Sequence, residues 1–272
     1  MKLAFNGATS MRADLITDIK AASAAGFDYL EIWAAKLHVF LKEHSTSDLK
    51  ALLDQHNLKP YSINSIEHIT FRNEDDYERI KAECEELCRV ASEIDCPFIV
   101  VVPGKLPATE VSRNAVIDES ICVLNELGGI AEKYSVSLAF EFLGQTDCSV
   151  QTLGLADEIV KRVDRSNIGL VLDSFHFYVG NSTLESIDAL DAEKLFIFHI
   201  NDSEDRPKEE LNDSHRLLPG LGILPLKEIK AAFDRIGYDR IASVEIFRPE
   251  YWERDPFELA KDAHEAIVKV LG

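Results

Sequence analysis

Four short apolar runs, each ending in a side chain that can bind a metal ion, restrict what this chain can fold into. Residues 168–172 lead into Asp173, and three further runs lead into Glu141, His199 and Glu245. Short apolar runs of this kind are typical of strands buried on both faces of a parallel sheet. A predicted helix separates each run from the next. Neighbouring parallel strands would therefore bring the four side chains to one place.

The charges of these side chains predict a bound cation. Two carboxylates about 4 Å apart repel each other by about 4 kcal/mol at an effective dielectric constant of about 20. Three converging carboxylates would have to take up protons or separate unless a cation lies between them. We predict one divalent metal ion bound by Glu141, Asp173, His199 and Glu245. This ligand set suits Mn²⁺, Mg²⁺, Co²⁺ or Zn²⁺ without choosing among them. For each residue alone, a buried ion pair with Lys or Arg is the alternative.

Strand and helix patterns alternate along the whole chain, which favours an α/β fold. The chain has 272 residues, close to the roughly 250 of one (β/α)₈ barrel. We predict a single (β/α)₈ TIM barrel in which residues 1–272 form one domain, because eight βα units follow one another without a break in composition. A doubly wound open sheet is the alternative. The predicted strands are residues 3–5, 29–33, 60–64, 98–102 and the runs that lead into positions 141, 173, 199 and 245; the predicted helices are residues 14–25, one capped by Ser47 and ending at 55, 75–94, 114–133, 153–163, 184–190, 226–236 and 256–271.

Composition excludes several classes of partner. The formal net charge of −19 would repel phosphate backbones, so we expect no binding to nucleic acid. No apolar run approaches the roughly 18 residues of a membrane span, and the N-terminus resembles a first strand rather than a signal sequence. The five cysteines are odd in number and scattered, which favours reduced thiols in a cytoplasmic protein. The one macromolecular partner that these observations leave open is a second copy of the chain, in a homo-oligomer.

Longer motifs point to one known family. They are Glu141-Phe142, Gly169-Leu170-Val171-Leu172-Asp173-Ser174-Phe175-His176, Phe198-His199-Ile200-Asn201-Asp202, the segment from His215 to Gly222 and the segment from Ser243 to Tyr251. Together they resemble the xylose-isomerase-like superfamily of sugar isomerases and epimerases, and within it the inosose (2-keto-myo-inositol) isomerases. The resemblance extends over essentially the whole chain. The four metal positions are shared across the superfamily, so they bear on fold and metal more than on substrate.

The resemblance implies a metal-dependent isomerase or epimerase of a small keto-polyol or keto-sugar, with inosose as the expected substrate. It implies metal ligands at the four positions above and substrate contacts from His176 and Arg216. It also implies that Glu141 and Glu245 act as the acid/base pair around an enediolate that the metal stabilises. The alternative for His176 is a bond to the backbone, and the alternative for Arg216 is a surface ion pair.

Three other functions stay open at this point. A dehydratase of a cyclic keto acid or keto-inositol would use the same metal site. A DNA-repair endonuclease of the superfamily would need further ligands and a basic groove, and a non-catalytic metal-binding barrel would need neither. Among the residues near the expected pocket, Trp33, His68, Phe71 and Trp252 are candidates for its wall, and Lys105 is either an anion contact or a solvated lysine.

Overall fold

Eight parallel strands form a closed barrel in the computed structural model, which describes residues 1–272. The strands are β1 (Lys2–Asn6), β2 (Tyr29–Trp33), β3 (Lys59–Ile66), β4 (Phe98–Val101), β5 (Ser137–Glu141), β6 (Ile168–Asp173), β7 (Leu195–Ile200) and β8 (Ile241–Val244). The strand order around the barrel is β1-β8-β7-β6-β5-β4-β3-β2, and β1 pairs with both β8 and β2. This closure confirms the predicted TIM barrel and rules out the open sheet.

Helices pack around the outside of this barrel. They are α1 (Leu15–Ala25), α2 (Ala34–Phe40), α3 (Thr46–Gln55), α4 (Glu74–Glu93), α5 (Arg113–Glu132), α6 (Leu153–Val163), α7 (Ser174–Val179), α8 (Leu184–Asp188), α9 (Leu226–Ile236), α10 (Pro249–Trp252) and α11 (Pro256–Leu271). The predicted cap of α3 was wrong by two residues: Ser45, not Ser47, accepts a bond from Asp48 N and completes a capping box. The short helices α2, α7 and α10 were not predicted, because each follows its strand within a few residues and has too few turns to show a periodic pattern.

Aromatic side chains close the end of the barrel where the strands begin. The rings of Tyr61, Phe98 and Phe196 pack in series at a tilt, with centroids 5.1 and 4.8 Å apart. The Tyr61 hydroxyl donates to the Phe196 carbonyl at 3.0 Å. This apolar plug leaves the other end of the barrel, where the strands finish, as the polar end. Barrel enzymes carry their sites at that end.

The segment after β7, residues 201–224, returns over the polar end of the barrel. Asp202–Ser203 pairs with Arg216–Leu217 as a short antiparallel hairpin. Asp202 accepts bonds from Gly220 N and Leu224 N, which fixes the intervening turn. Gly222 has no space for a side chain, because a Cβ atom there would lie 2.0 Å from the Ser203 carbonyl oxygen. The hairpin thereby carries Arg216 to the strand ends.

None of the helices combines the length and the apolar character that crossing a membrane would require.

Candidate metal centre

The four predicted ligands lie together at the polar end of the barrel. Glu141 and Asp173 are the last residues of β5 and β6, His199 is the fifth residue of β7, and Glu245 directly follows β8. One ligand atom from each lies within 4.8 Å of all the others, and all four side chains are buried. Two atoms bound about 2.1 Å from one ion are at most about 4.2 Å apart. The cluster is therefore close to the spacing that a single divalent ion requires, and its donor set fits one.

Asp173 is oriented by three donors. It caps α7, where its Oδ1 accepts a bond from His176 N at 2.8 Å. Its Oδ2 accepts bonds from Asn201 Nδ2 at 2.7 Å and from an Arg216 terminal nitrogen at 2.9 Å. A carboxylate so restrained keeps one orientation at the strand end.

His199 lies between carboxylates on both sides of its ring. Its Nδ1 is 2.9 Å from Glu141 Oε1 and 3.4 Å from Glu245 Oε2, whereas its Nε2 is 3.0 Å from Glu31 Oε1. Burial alone would lower the pKa of this imidazole, but the charges of Glu245, Glu31 and Glu141 outweigh burial and raise it well above the usual value. The ring thus carries positive charge when no other cation is present.

Glu245 accepts hydrogen bonds from three buried side chains. Its Oε1 accepts bonds from Asn64 Nδ2 at 2.7 Å and Asn6 Nδ2 at 3.2 Å, and its Oε2 accepts one from Arg216 at 3.0 Å. Burial raises its pKa to about 8. His199 and Arg216 oppose that rise, while the neighbouring Glu141 adds to it. A cation beside this group would therefore relieve repulsion.

Arg216 is buried in the centre, so the alternative of a surface ion pair was wrong. Its side chain is 1% exposed. One terminal nitrogen donates to Asp173 and Glu245 at 2.9 and 3.0 Å, the other to Asp213 and His176 at 2.8 and 2.9 Å, and Nε donates to Asp213 at 3.1 Å. These bonds use all five N–H groups of an arginine. Arg216 therefore holds Asp173 and Glu245 in place by direct bonds, whereas the predicted substrate contact would require one of its bonds to break.

His176 lines the cavity above the centre, and one of its two ring nitrogens has no partner. Arg216 can only donate, so His176 Nε2 must accept and its proton must lie on Nδ1. That Nδ1 is buried and has no hydrogen-bond partner. Burial lowers the pKa of this imidazole, and the Arg216 charge adds to the effect while Asp173 opposes it. The alternative of a ring bonded to the backbone is not observed, and the substrate contact of His176 stays a prediction.

A cavity of about 260 Å³ opens above these side chains. Two of the four wall candidates line it, Trp33 and His68, while Phe71 and Trp252 do not. Lys105 is exposed and pairs with Asp147 at 2.7 Å, which agrees with a solvated lysine. The lining residues are Trp33, Asn64, Ser65, Glu67, His68, Val102, Glu141, Leu143, Gln145, His176, Asp213, Arg216, Glu245 and Phe247.

Three buried residues of the centre were missed by the sequence analysis. Glu31 on β2 contacts His199, and Asn6 and Asn64 hold Glu245. Glu31 did leave a signal, because a lone glutamate interrupts the apolar strand Tyr29–Trp33. The two asparagines left none, since asparagine at a strand end is equally typical of an ordinary turn.

The perturbed groups predict how stability depends on pH in protein stripped of metal. Glu245 has a folded pKa near 8, and that of His199 is raised as well, so the folded state holds protons that the unfolded state loses. Stability must then fall as pH rises. Between pH 6.5 and 8 we expect the free energy of unfolding to drop by about 2 kcal/mol. Urea unfolding across this window measures it, and Glu245→Gln should flatten the profile; an unchanged slope in that variant would contradict the assignment.

Comparison with known proteins identifies the family. The family model described as xylose isomerase-like TIM barrel matches residues 19–270. The chain belongs to this family. The inosose isomerase of Bacillus velezensis is 37% identical over 273 residues, covering 98% of this chain and 97% of that protein. This relationship confirms the expectation that the chain is an isomerase.

Two further comparisons bear on the metal and on the alternatives. A crystal structure described as the IolI protein with a bound zinc atom superimposes with a TM-score of 0.96 at 37% identity, covering 100% of this chain and 98% of that one. The 3-dehydroshikimate dehydratase of Pseudomonas aeruginosa is 27% identical over 88% of this chain, but the match covers only 37% of that enzyme.

Proposed function

We propose that this protein is a metal-dependent isomerase of inosose, a cyclic keto-polyol. The observation that carries the proposal is the buried cluster of Glu141, Asp173, His199 and Glu245 at the mouth of a closed barrel. It is supported by the full-length identity to an inosose isomerase and by the zinc in a structure of the same fold. Zn²⁺ is the ion bound in that structure, and Mn²⁺, Mg²⁺ and Co²⁺ stay open for this chain.

Moving a carbonyl along a polyol ring requires loss of a proton next to C=O and its return at the neighbouring carbon. Glu141 and Glu245 both line the cavity, and we assign them the removal and the return of that proton. A raised pKa, as for Glu245, suits a carboxyl that must carry a proton near neutral pH. A divalent ion, when bound, would act as a Lewis acid toward the oxygens on the two reacting carbons.

Other cavity residues would hold the substrate rather than react with it. His176 can donate from Nδ1 to a substrate hydroxyl or carbonyl oxygen. The rings of Trp33 and Phe247, with centroids 5.6 Å apart, give the cavity an apolar wall that suits the C–H face of a polyol ring. The aromatic plug below the centre limits entry of water from the other end of the barrel, which favours an enediolate over side reactions.

The lining of the cavity favours a neutral polyol over a keto acid. A dehydratase of a cyclic keto acid would need a free cation for the carboxylate of its substrate. Arg216 is the one lysine or arginine that lines the cavity, and its N–H groups already have acceptors. Lys105 is paired with Asp147. A dehydratase activity, suggested by the partial match to such an enzyme, is therefore the second candidate function.

Proton NMR in D₂O tests the proposal directly. Protein loaded in turn with Zn²⁺, Mn²⁺, Co²⁺ and Mg²⁺ is mixed with 2-keto-myo-inositol, and chelator-treated protein serves as the control. We expect deuterium to enter next to the carbonyl and an isomeric inosose to appear only with metal. Loss of water from the substrate would instead establish the dehydratase. A folded, metal-loaded protein that produces neither change would overturn the proposed substrate, and equal turnover after chelation would overturn metal dependence.

A further inference from the structure

Glu31 is a buried carboxylate with no Lys or Arg partner. It lies in the middle of β2 and is 0% exposed. Its one neighbour able to carry positive charge is His199, whose Nε2 lies 3.0 Å from Oε1. Burying a carboxylate away from water is costly unless it is paired and hydrogen-bonded. A contribution to stability alone does not explain a glutamate here, since an apolar side chain would suit the barrel interior better.

Neighbouring strands hold this carboxylate in one orientation. Asn6 and Ser62 are the register partners of Glu31 on β1 and β3. Asn6 Nδ2 donates to Oε1 at 3.2 Å, and the Ser62 hydroxyl donates to Oε2. The Asn6 amide also reaches Glu245 Oε1 at 3.2 Å. Glu31 is thus a rigid acceptor on the side of His199 away from the other carboxylates.

The two ring nitrogens of His199 have different partners and different roles. Nδ1 faces Glu141 and Glu245, so a metal at the centre would be bound by Nδ1. A ligating nitrogen carries no proton, which places the remaining proton on Nε2, facing Glu31. The 3.0 Å between His199 Nε2 and Glu31 Oε1 is short enough for a hydrogen bond. In the present ring orientation the Nε2–H does not point at that oxygen, so Nε2 has no hydrogen bond. The last torsion of a histidine is broad, so a small ring rotation corrects the angle.

We propose that Glu31 is a positioning residue: it accepts the Nε2–H of His199 and so fixes the tautomer and ring orientation in which Nδ1 binds the metal. This inference rests on the proposed metal-dependent function. Carboxylates that orient a metal-binding histidine in this way typically contribute about 10–100-fold to metal affinity. Glu31 touches neither the cavity nor the substrate, because it is absent from the cavity wall.

The test is the affinity of the purified protein for Zn²⁺, measured by competition with a chromophoric chelator. We expect Glu31→Gln to weaken binding by about 10–100-fold. Glu250→Gln, the same change on an exposed residue, should have no effect. In a His199→Ala background, Glu31→Gln should cause no further loss, because its effect passes through the imidazole. An equal loss in both backgrounds, or unchanged affinity in Glu31→Gln, would overturn the inference.

The outcomes separate this inference from the proposed function. Failure of the wild-type protein to bind any of Zn²⁺, Mn²⁺, Co²⁺ and Mg²⁺ would count against both, whereas tight wild-type binding that Glu31→Gln leaves unchanged would remove only the role of Glu31. Thermal melting of chelated protein shows whether each variant folds. If Glu31→Gln does not fold, Ser62→Ala decides: it keeps the carboxylate but frees Oε2, and we expect a several-fold loss of Zn²⁺ affinity. Unchanged affinity in Ser62→Ala would then overturn the inference.

Discussion

Replacement of Glu245 by Gln should lower turnover of inosose by at least about 10²–10⁴-fold, the usual effect of removing a general acid or base. Glu141→Gln should have an effect of the same order. An amide neither accepts the substrate proton nor returns it, and it is also a weaker metal ligand than a carboxylate. The measurement is conversion followed by NMR in D₂O, at Zn²⁺ concentrations that saturate each variant.

The same spectra distinguish the two carboxylates. A variant that exchanges the proton next to the carbonyl but forms no isomer lacks the group that returns the proton. A variant that does neither lacks the group that removes it. Glu250→Gln, an exposed change five residues beyond Glu245, should retain wild-type turnover. Near-normal conversion by either site variant, with its metal content verified, would exclude that residue from the chemistry.

The fold and the four clustered side chains were predictable because both follow from local sequence patterns. An apolar run that ends in Glu141, Asp173, His199 or Glu245 is visible in the sequence, and the parallel barrel brings strand ends together without further information. Once the barrel is confirmed, the clustering of these four side chains follows from it. Their roles as ligands and as acid/base groups remain predictions that the experiments above test.

The surroundings of the cluster could not be predicted, because they depend on side chains that are distant in sequence. Asn6 reaches Glu245 across 239 residues of chain, and Asn64 reaches it across 181. The burial of Arg216 depends on a hairpin of two residues per strand, which is too short to leave a pattern. Glu31 was the one neighbour with a readable signal, a charge within an apolar strand.

Replacement of Arg216 by Met should cause the largest loss of stability of any single change considered for this protein. Arg216 neutralises Asp173, Glu245 and Asp213, and removing one partner of a buried ion pair costs about 3–5 kcal/mol because the remaining charges lose their compensation. Methionine is similar in length and apolar, so it can fill much of the space that the arginine occupies. We therefore attribute the expected loss mainly to charge.

Urea unfolding of chelated protein measures the effect of Arg216→Met, with Arg235→Met as the matched control. Arg235 also makes two bonds to a carboxylate, Asp188, but both side chains are exposed, so its replacement should cost less than about 1 kcal/mol. Adding Zn²⁺ should recover part of the loss in Arg216→Met, because the ion would compensate Asp173 and Glu245 in place of the guanidinium. Equal losses in the two variants would show that Arg216 does not serve as the counter-charge of the centre, and a loss that Zn²⁺ leaves unchanged would show that the ion does not take over the role of the guanidinium.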